Sequence, residues 1–355
     1  MSTIVAKQTG LAGPSWGRQL TRNPVVHWLL VLLLALAAFG VVLLIFGKNP
    51  LTTYIDIFWS TLGSSYGISE VLVKVTPLLF CALAVLLPSR IGLVQVGGEG
   101  QLYMGAWLAS AGALLLGDAL PGWLALPLVV VLGFVGGGLW ALFPAFLRAK
   151  GWLNETISTL LLNYIAILFV TYFIFGPWRD PASANFPQSE AFAAAYRFPQ
   201  FFQTRVHLGL ILALLATVAI YLLLRYTRWG YEMRAIGGNA TAALRQGLPI
   251  VPYMLVVMFV AGGLAGLAGV GEIMAIQGRL RPGISPGYGY IGFLIAWTAG
   301  QKPLAAIGVS LLMAVIMLGG DTLQITQNLP FAAVNVFMAL VLFVVLGNFV
   351  PKAEK

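Results

Sequence analysis

Residues 93–107 read LVQVGGEGQLYMGAW, with apolar sequence on both sides. Gly97, Gly98, Gly100 and Gly105 surround a single carboxylate, Glu99. Glycine in a helix interior costs about 1 kcal/mol relative to alanine. A charge at bilayer depth costs roughly 2.5–3.5 kcal/mol on insertion scales. The stretch therefore reads as a break inside a membrane segment, with Glu99 facing protein or water. Two roles stay open for Glu99. It caps N–H groups that a broken helix leaves unpaired, or it touches a solute or a proton directly.

The rest of the chain supports the membrane reading. Its 355 residues are 59% hydrophobic and 9% charged, with mean hydropathy +0.91; a soluble domain is about 25% charged. The expected fold is all-α and polytopic, with ten segments at 25–46, 71–88, 91–117, 123–147, 155–176, 207–225, 252–277, 289–300, 303–318 and 331–350. Segments three and eight are interrupted by Gly, Pro and polar residues, and eight is too short to span as a straight helix. The first segment follows a polar arm without a convincing cleavage site and reads as a retained helix. The layout is a cytoplasmic arm, 1–24, a single membrane domain, 25–350, and a cytoplasmic tail, 351–355. With the N-terminus inside, 13 of the 20 Lys and Arg lie on the inner side, as the positive-inside rule favours. The basic residues punctuate apolar runs, so the net charge of +9 points to membrane lipid and not to nucleic acid. Two connections are long: 177–206, external and carrying AFAAAYRFPQFF, and 227–251, cytoplasmic. Cys81, the single cysteine, permits no intrachain disulfide.

The opening stretch has an echo. From Arg90 the chain reads RIGLVQVGGEGQLYMGAW, and from Arg281 RPGISPGYGYIGFLIAW. Each has a G-x-G pair (Gly98/Gly100 and Gly287/Gly289), a later Gly and an Ala-Trp pair. Trp lies 17 residues after Arg in one and 16 in the other. The first copy starts inside and the second outside, as an inverted repeat requires. Segments 2–5 and 7–10 would be its halves, with Gly97, Gly98, Gly100, Gly287 and Gly289 forming the breaks.

No nucleotide loop is present: VGGEGQLYMG lacks G-x-x-x-x-G-K-[ST], and Gly47-Lys48 precedes Asn. His27 and His207 sit at segment edges, and no H-E-x-x-H or C-x-x-C occurs. Neither a catalytic set, a metal site nor a cofactor site is expected on this chain. Glu272 is expected to pair with Arg279 or Arg281. In GWLNETISTLLLNYIA, Asn154 can cap a helix, and Thr159 and Asn163 share a face four residues apart. Ser158, Thr159 and Asn163 can bond neighbouring helices or line a polar path. In TRWGYEMRAIGGNATAALRQGLP, a helical turn at 231–236 ends at Gly237-Gly238. Asn239 then caps ATAALRQ, which Gly247 and Pro249 stop. Such a short, Ala-rich helix suits docking into another protein's groove.

GLVQVGGEGQLYMGA, LNETISTLLLNYIA and RAIGGNATAALRQGL, in this order, resemble the permease subunits of ABC importers for nucleosides and simple sugars, relatives of the branched-chain amino acid and ribose permeases. The resemblance covers about residues 70–350. Gln95 stands where the family usually has Asn, and Thr241 where Pro or an acid is common. The family implies a multi-pass subunit in a bacterial or archaeal plasma membrane. Its partners are an ATPase subunit that uses ATP and Mg, its two cassettes often fused, a second permease and an extracytoplasmic substrate-binding protein. A chain of this length resembles the longer partner of a nucleoside-type heterodimer. Read through the family, Gln95, Glu99, Gln101, Ser158, Asn163 and Tyr288 lie along the translocation path. Arg234, Gly237, Gly238, Asn239, Ala242, Ala243 and Gly247 form the ATPase-coupling loop. The expected function is nucleoside import; the alternatives are import of a simple sugar or another small polar solute, and a proton-coupled secondary transporter using Glu99.

Overall fold

The computed structural model describes residues 24–183 and 186–327, with isolated positions between 330 and 340. The arm 1–23, most of the expected tenth segment 331–350 and the tail 351–355 lie outside the described residues. Apart from two isolated β-bridges, every regular element described is helical. Seven described helices are long and apolar enough to cross a membrane, or eight if one bent pair counts as a span.

The second helix of that pair was not expected. Helix α1 (Pro24–Ile45) turns at Gly47 (φ 69) into α2 (Pro50–Thr61), and their axes differ by 115°. The Asn49 side chain accepts the Leu51 N–H at 3.0 Å and Pro50 opens the helix, a standard start signal. α2 buries its polar edge and exposes Leu51, Ile55, Phe58 and Trp59, an arrangement suited to lipid. Helix α3 (Ser65–Ser89) is buried all round from 75 to 88 and forms the centre of the bundle, as a helix without a polar face must.

Around it stand α4 (Gly98–Leu116), α5 (Gly122–Ala149), α6 (Glu155–Phe175), α7 (Leu208–Tyr226), α10 (Ile250–Gly271), α11 (Tyr288–Thr298) and α12 (Pro303–Gln327). Two short helices, α8 (Arg228–Gly238) and α9 (Ala240–Arg245), fill the link between α7 and α10. α10 continues through a π turn, Glu272–Gln277, that Gly278 ends at φ 67. α11 has 11 residues, too short to span.

α4, α5 and α10 meet along a glycine seam. A Cβ at Gly137 would lie 2.2 Å from the Gly262 carbonyl oxygen, and one at Gly266 2.2 Å from that of Gly133. A Cβ at Gly105 would fall 2.3 Å from Gly266 Cα. These small-x-x-x-small pairs let backbones touch, which drives helix association where lipid removes the hydrophobic effect. The aromatic stretch of the 177–206 connection turns inward: Phe192, Tyr196 and Phe198 are buried. Its backbone pairs with the end of α10, Phe198 N–H to Met274 O at 3.1 Å and Phe192 N–H to Gly278 O at 2.9 Å.

Candidate functional site

After α3 the chain runs without helix from 91 to 97, then α4 starts at Gly98. The second motif opens α11 in the same place. The two helix starts abut so closely that a Cβ at Gly289 would lie 2.1 Å from the Glu99 nitrogen, and one at Gly98 3.4 Å from Gly289 Cα. Glu99 Oε2 accepts the Gly289 N–H at 2.8 Å. Ser285 Oγ accepts the N–H groups of Gly287 at 3.1 Å and Tyr288 at 2.8 Å. Ser285 and Glu99 therefore share the first turn of α11. The carboxylate also stands in the first turn of its own helix, so two positive helix ends face one negative charge.

The broken backbone around Glu99 is satisfied by α6. The Val94 N–H donates to Glu155 Oε1 at 3.3 Å, and Thr156 Oγ1 donates to the Val94 carbonyl at 3.1 Å. The Val96 N–H donates to Thr159 Oγ1 at 3.2 Å. Asn163 closes the set: its amide nitrogen donates to the Val96 carbonyl at 2.9 Å and its oxygen accepts the Gly100 N–H at 2.8 Å. Asn154 starts this helix by accepting the Thr156 N–H at 2.8 Å, which fixes the register of the ladder. Glu155 is held by Arg148 at 3.0 Å.

The junction thus gathers Gln95, Glu99, Gln101, Asn163 and Tyr288, all buried. Gln95 Nε2 donates to Gln101 Oε1 at 2.6 Å. Ser158 is buried but bonds only the Asn154 and Glu155 carbonyls of its own turn. Thr159, Ser285 and Tyr290 belong to the same junction, the Tyr290 hydroxyl lying 3.4 Å from Asn163 Nδ2. For Ser285, a Ser three residues before the first apolar turn was a signal in the sequence. Glu272 departs from expectation. It is buried within the π turn and forms no ion pair among the described residues, while Arg279 reaches Asp180 at 3.8 Å.

The second candidate region is α8–α9. The expected single turn at 231–236 is a helix of 11 residues that takes in Gly237 and Gly238, because Thr227 caps it four residues earlier, accepting the Gly230 N–H at 3.2 Å. The following helix stops at Arg245, short of the expected Gln246, and Gly247 adopts φ 82. Asn239 Oδ1 accepts the Ala242 N–H at 2.9 Å. Ala243 is buried and anchors α9, while Thr241, Ala242 and Leu244 face outward. Arg234 donates to the Leu224 carbonyl. Gly238 stands in open space. Gly237 does not: a Cβ there would lie 2.3 Å from the Arg90 carbonyl oxygen. The Arg90 guanidinium in turn donates to the Gln301 carbonyl, between α11 and α12. The loop is seated on the residue from which the broken stretch begins.

At the far end of α7, His207 is buried and its Nδ1 accepts the Gly209 N–H at 3.1 Å. Burial, then the nearby Arg205, push its imidazole down to about 4.

A family profile described as "Branched-chain amino acid transport system / permease component" matches residues 67–346. The glucose ABC transporter permease protein TsgB13 of Haloferax volcanii is 36% identical over 92% of this chain and 90% of its own. The guanosine ABC transporter permease protein NupP of Bacillus subtilis is 29% identical over 90% of this chain and 92% of its own. The nucleoside ABC transporter permease protein NupB of Lactococcus lactis is 30% identical, covering 89% and 90%. No solved structure matches. The match through the broken-helix junction, the α6 ladder and the exposed loop places this multi-pass membrane protein in the permease family of ABC transporters, beside permeases of nucleoside and sugar importers.

Proposed function

We propose that this chain is the membrane subunit of an ATP-driven importer of nucleosides, with both termini cytoplasmic. A partner ATPase hydrolyses ATP, its cassettes seated against α8–α9. A second, related permease completes the path, and a binding protein delivers solute to the external connection 177–206. The domain layout is one permease domain, 25–350, between a short arm and a tail.

One observation carries the mechanism. Contacts run without interruption from exposed α9 through Gly237 to the Arg90 carbonyl, along 91–97 to Glu99, and across to Gly289. Cassette closure moves α8–α9; the seat on Arg90 passes that motion to both helix starts, which part or close around the solute. The meeting of the α4 and α11 starts supports an inverted repeat, with α3–α6 and the region from α10 onward as halves. Coupling needs a demonstrated effect and not only adjacency. Gly238→Pro combined with Ala242→Trp alters the exposed loop and leaves the junction intact. The assembled transporter should keep its ATPase activity and lose uptake by at least tenfold; normal uptake refutes the coupling role.

A simple sugar is the second reading, favoured by the 36% identity to a permease named for glucose. Uptake of labelled guanosine against labelled glucose by the assembled system decides between them.

A further inference from the structure

The end of the bundle that carries α8 and α9 also holds a cavity of about 590 Å³, which borders the coupling path at Arg90 and Arg234. Arg90, Arg225, Arg234 and Lys302 line it, with Tyr221 and Leu304 among the walls. Among the described residues no Asp or Glu pairs with any of these four cations; the ion pairs lie elsewhere, at Lys74–Asp321, Arg148–Glu155, Arg205–Glu70, Arg228–Glu232 and Arg279–Asp180. The hydrogen-bond partners of the three arginines are neutral: the Gln301 carbonyl for Arg90, the Leu224 carbonyl for Arg234, and the Tyr221 hydroxyl for Arg225 at 2.8 Å. Arg90 Nε is buried with no partner. Burial and the neighbouring Arg234 lower the Arg90 guanidinium from its ordinary value.

Converging cations without a carboxylate call for an anion with several acceptor oxygens, and guanidinium forks match phosphate. The walls say how that anion arrives. α7 and α12 are apolar spans; Leu304 in the cavity wall is exposed, as are Leu222 and Tyr226, the chain neighbours of Tyr221 and Arg225. No residue of α9 lines it, and α8 contributes Arg234 alone, so most of its wall comes from α7 and the start of α12. Basic pockets between membrane helices recognise anionic headgroups. We infer that this cavity binds the phosphodiester headgroup of an anionic phospholipid, its acyl chains lying along α7 and α12.

The test uses the full-length chain and reads lipid adducts by native mass spectrometry. Phosphatidylglycerol and phosphatidylcholine with the same acyl chains are titrated in parallel. Wild type should prefer phosphatidylglycerol by at least tenfold. At about 1 kcal/mol per basic residue, Arg225→Gln with Lys302→Gln should lower that preference roughly 10–30-fold, with phosphatidylcholine binding unchanged as the folding control. Each single substitution should give part of the loss, and Lys150→Gln, outside the cavity, none. An unchanged preference in the double variant overturns the proposal. Equal displacement of phosphatidylglycerol by inorganic phosphate overturns the lipid and assigns a free anion. Loss of a co-purifying protein with lipid preference intact assigns the cavity to a protein partner. Transport is not read, so failure of the coupling proposal leaves this result unaffected.

Discussion

Glu99 acts on a backbone group 190 residues away, the Gly289 N–H, in a place where Gly289 has no space for a side chain. An unpaired buried donor costs about 1–3 kcal/mol. Glu99→Gln keeps an acceptor and should leave thermal stability in detergent close to wild type. Glu99→Leu removes the acceptor and should lose about 1–3 kcal/mol; equal stability of the two variants would sink the capping role. A second residue-scale effect concerns pH. His207 is neutral in the fold down to about 4, whereas an unfolded histidine takes a proton near 6.5. Between these values the unfolded chain binds the extra proton, so stability is full above about 6.5 and falls as pH drops towards 4. Protonation also removes the acceptor for the Gly209 N–H. The melting temperature should therefore fall from pH 7.5 to pH 5 by more in wild type than in His207→Asn, which keeps an acceptor and does not titrate. An equal fall in both would clear His207 of the effect.

At the scale of elements, α6 serves as the missing hydrogen-bond partner of a stretch that cannot be helix. Asn163 serves Val96 and Gly100 together. Asn163→Leu should therefore speed amide exchange at Gly100 and its neighbours at least tenfold while the middle of α6 stays protected; unchanged exchange at Gly100 would remove Asn163 from the ladder. The sequence made the parts of this arrangement readable and not their pairing. The Asn154 cap, the Thr159–Asn163 face and the glycine breaks follow from local rules. Nothing in local periodicity says that Glu99 reaches α11 and leaves its own break to α6. Helix α2 escaped notice for a related reason: Thr53 is buried, bonding Gln327 at 3.1 Å, while Ile55 and Trp59 face outward. That inverts the pattern by which amphipathic helices are recognised. The glycine seam was likewise hidden, because Gly133/Gly137 and Gly262/Gly266 acquire meaning only against each other.

For the whole molecule, orientation decides whether the proposed mechanism can work, since α9 meets an ATPase only from the cytoplasm. The basic residues at its end of the bundle argue for that side. Direct labelling can settle it. Cys81 is the only cysteine and is fully buried, so Cys81→Ala gives a silent background. On that background Thr241→Cys exposes a thiol on α9, and Phe202→Cys one at a position 92% exposed in the 177–206 connection. A membrane-impermeant maleimide applied to intact cells should label residue 202 and spare residue 241. Inside-out vesicles should give the reverse. Position 241 should also lose its labelling when the ATPase is bound, because the same surface is then covered. Labelling of residue 241 from outside would place α9 beyond reach of any cytoplasmic cassette, and the path from Gly237 through Arg90 to Glu99 could not carry ATP-driven motion.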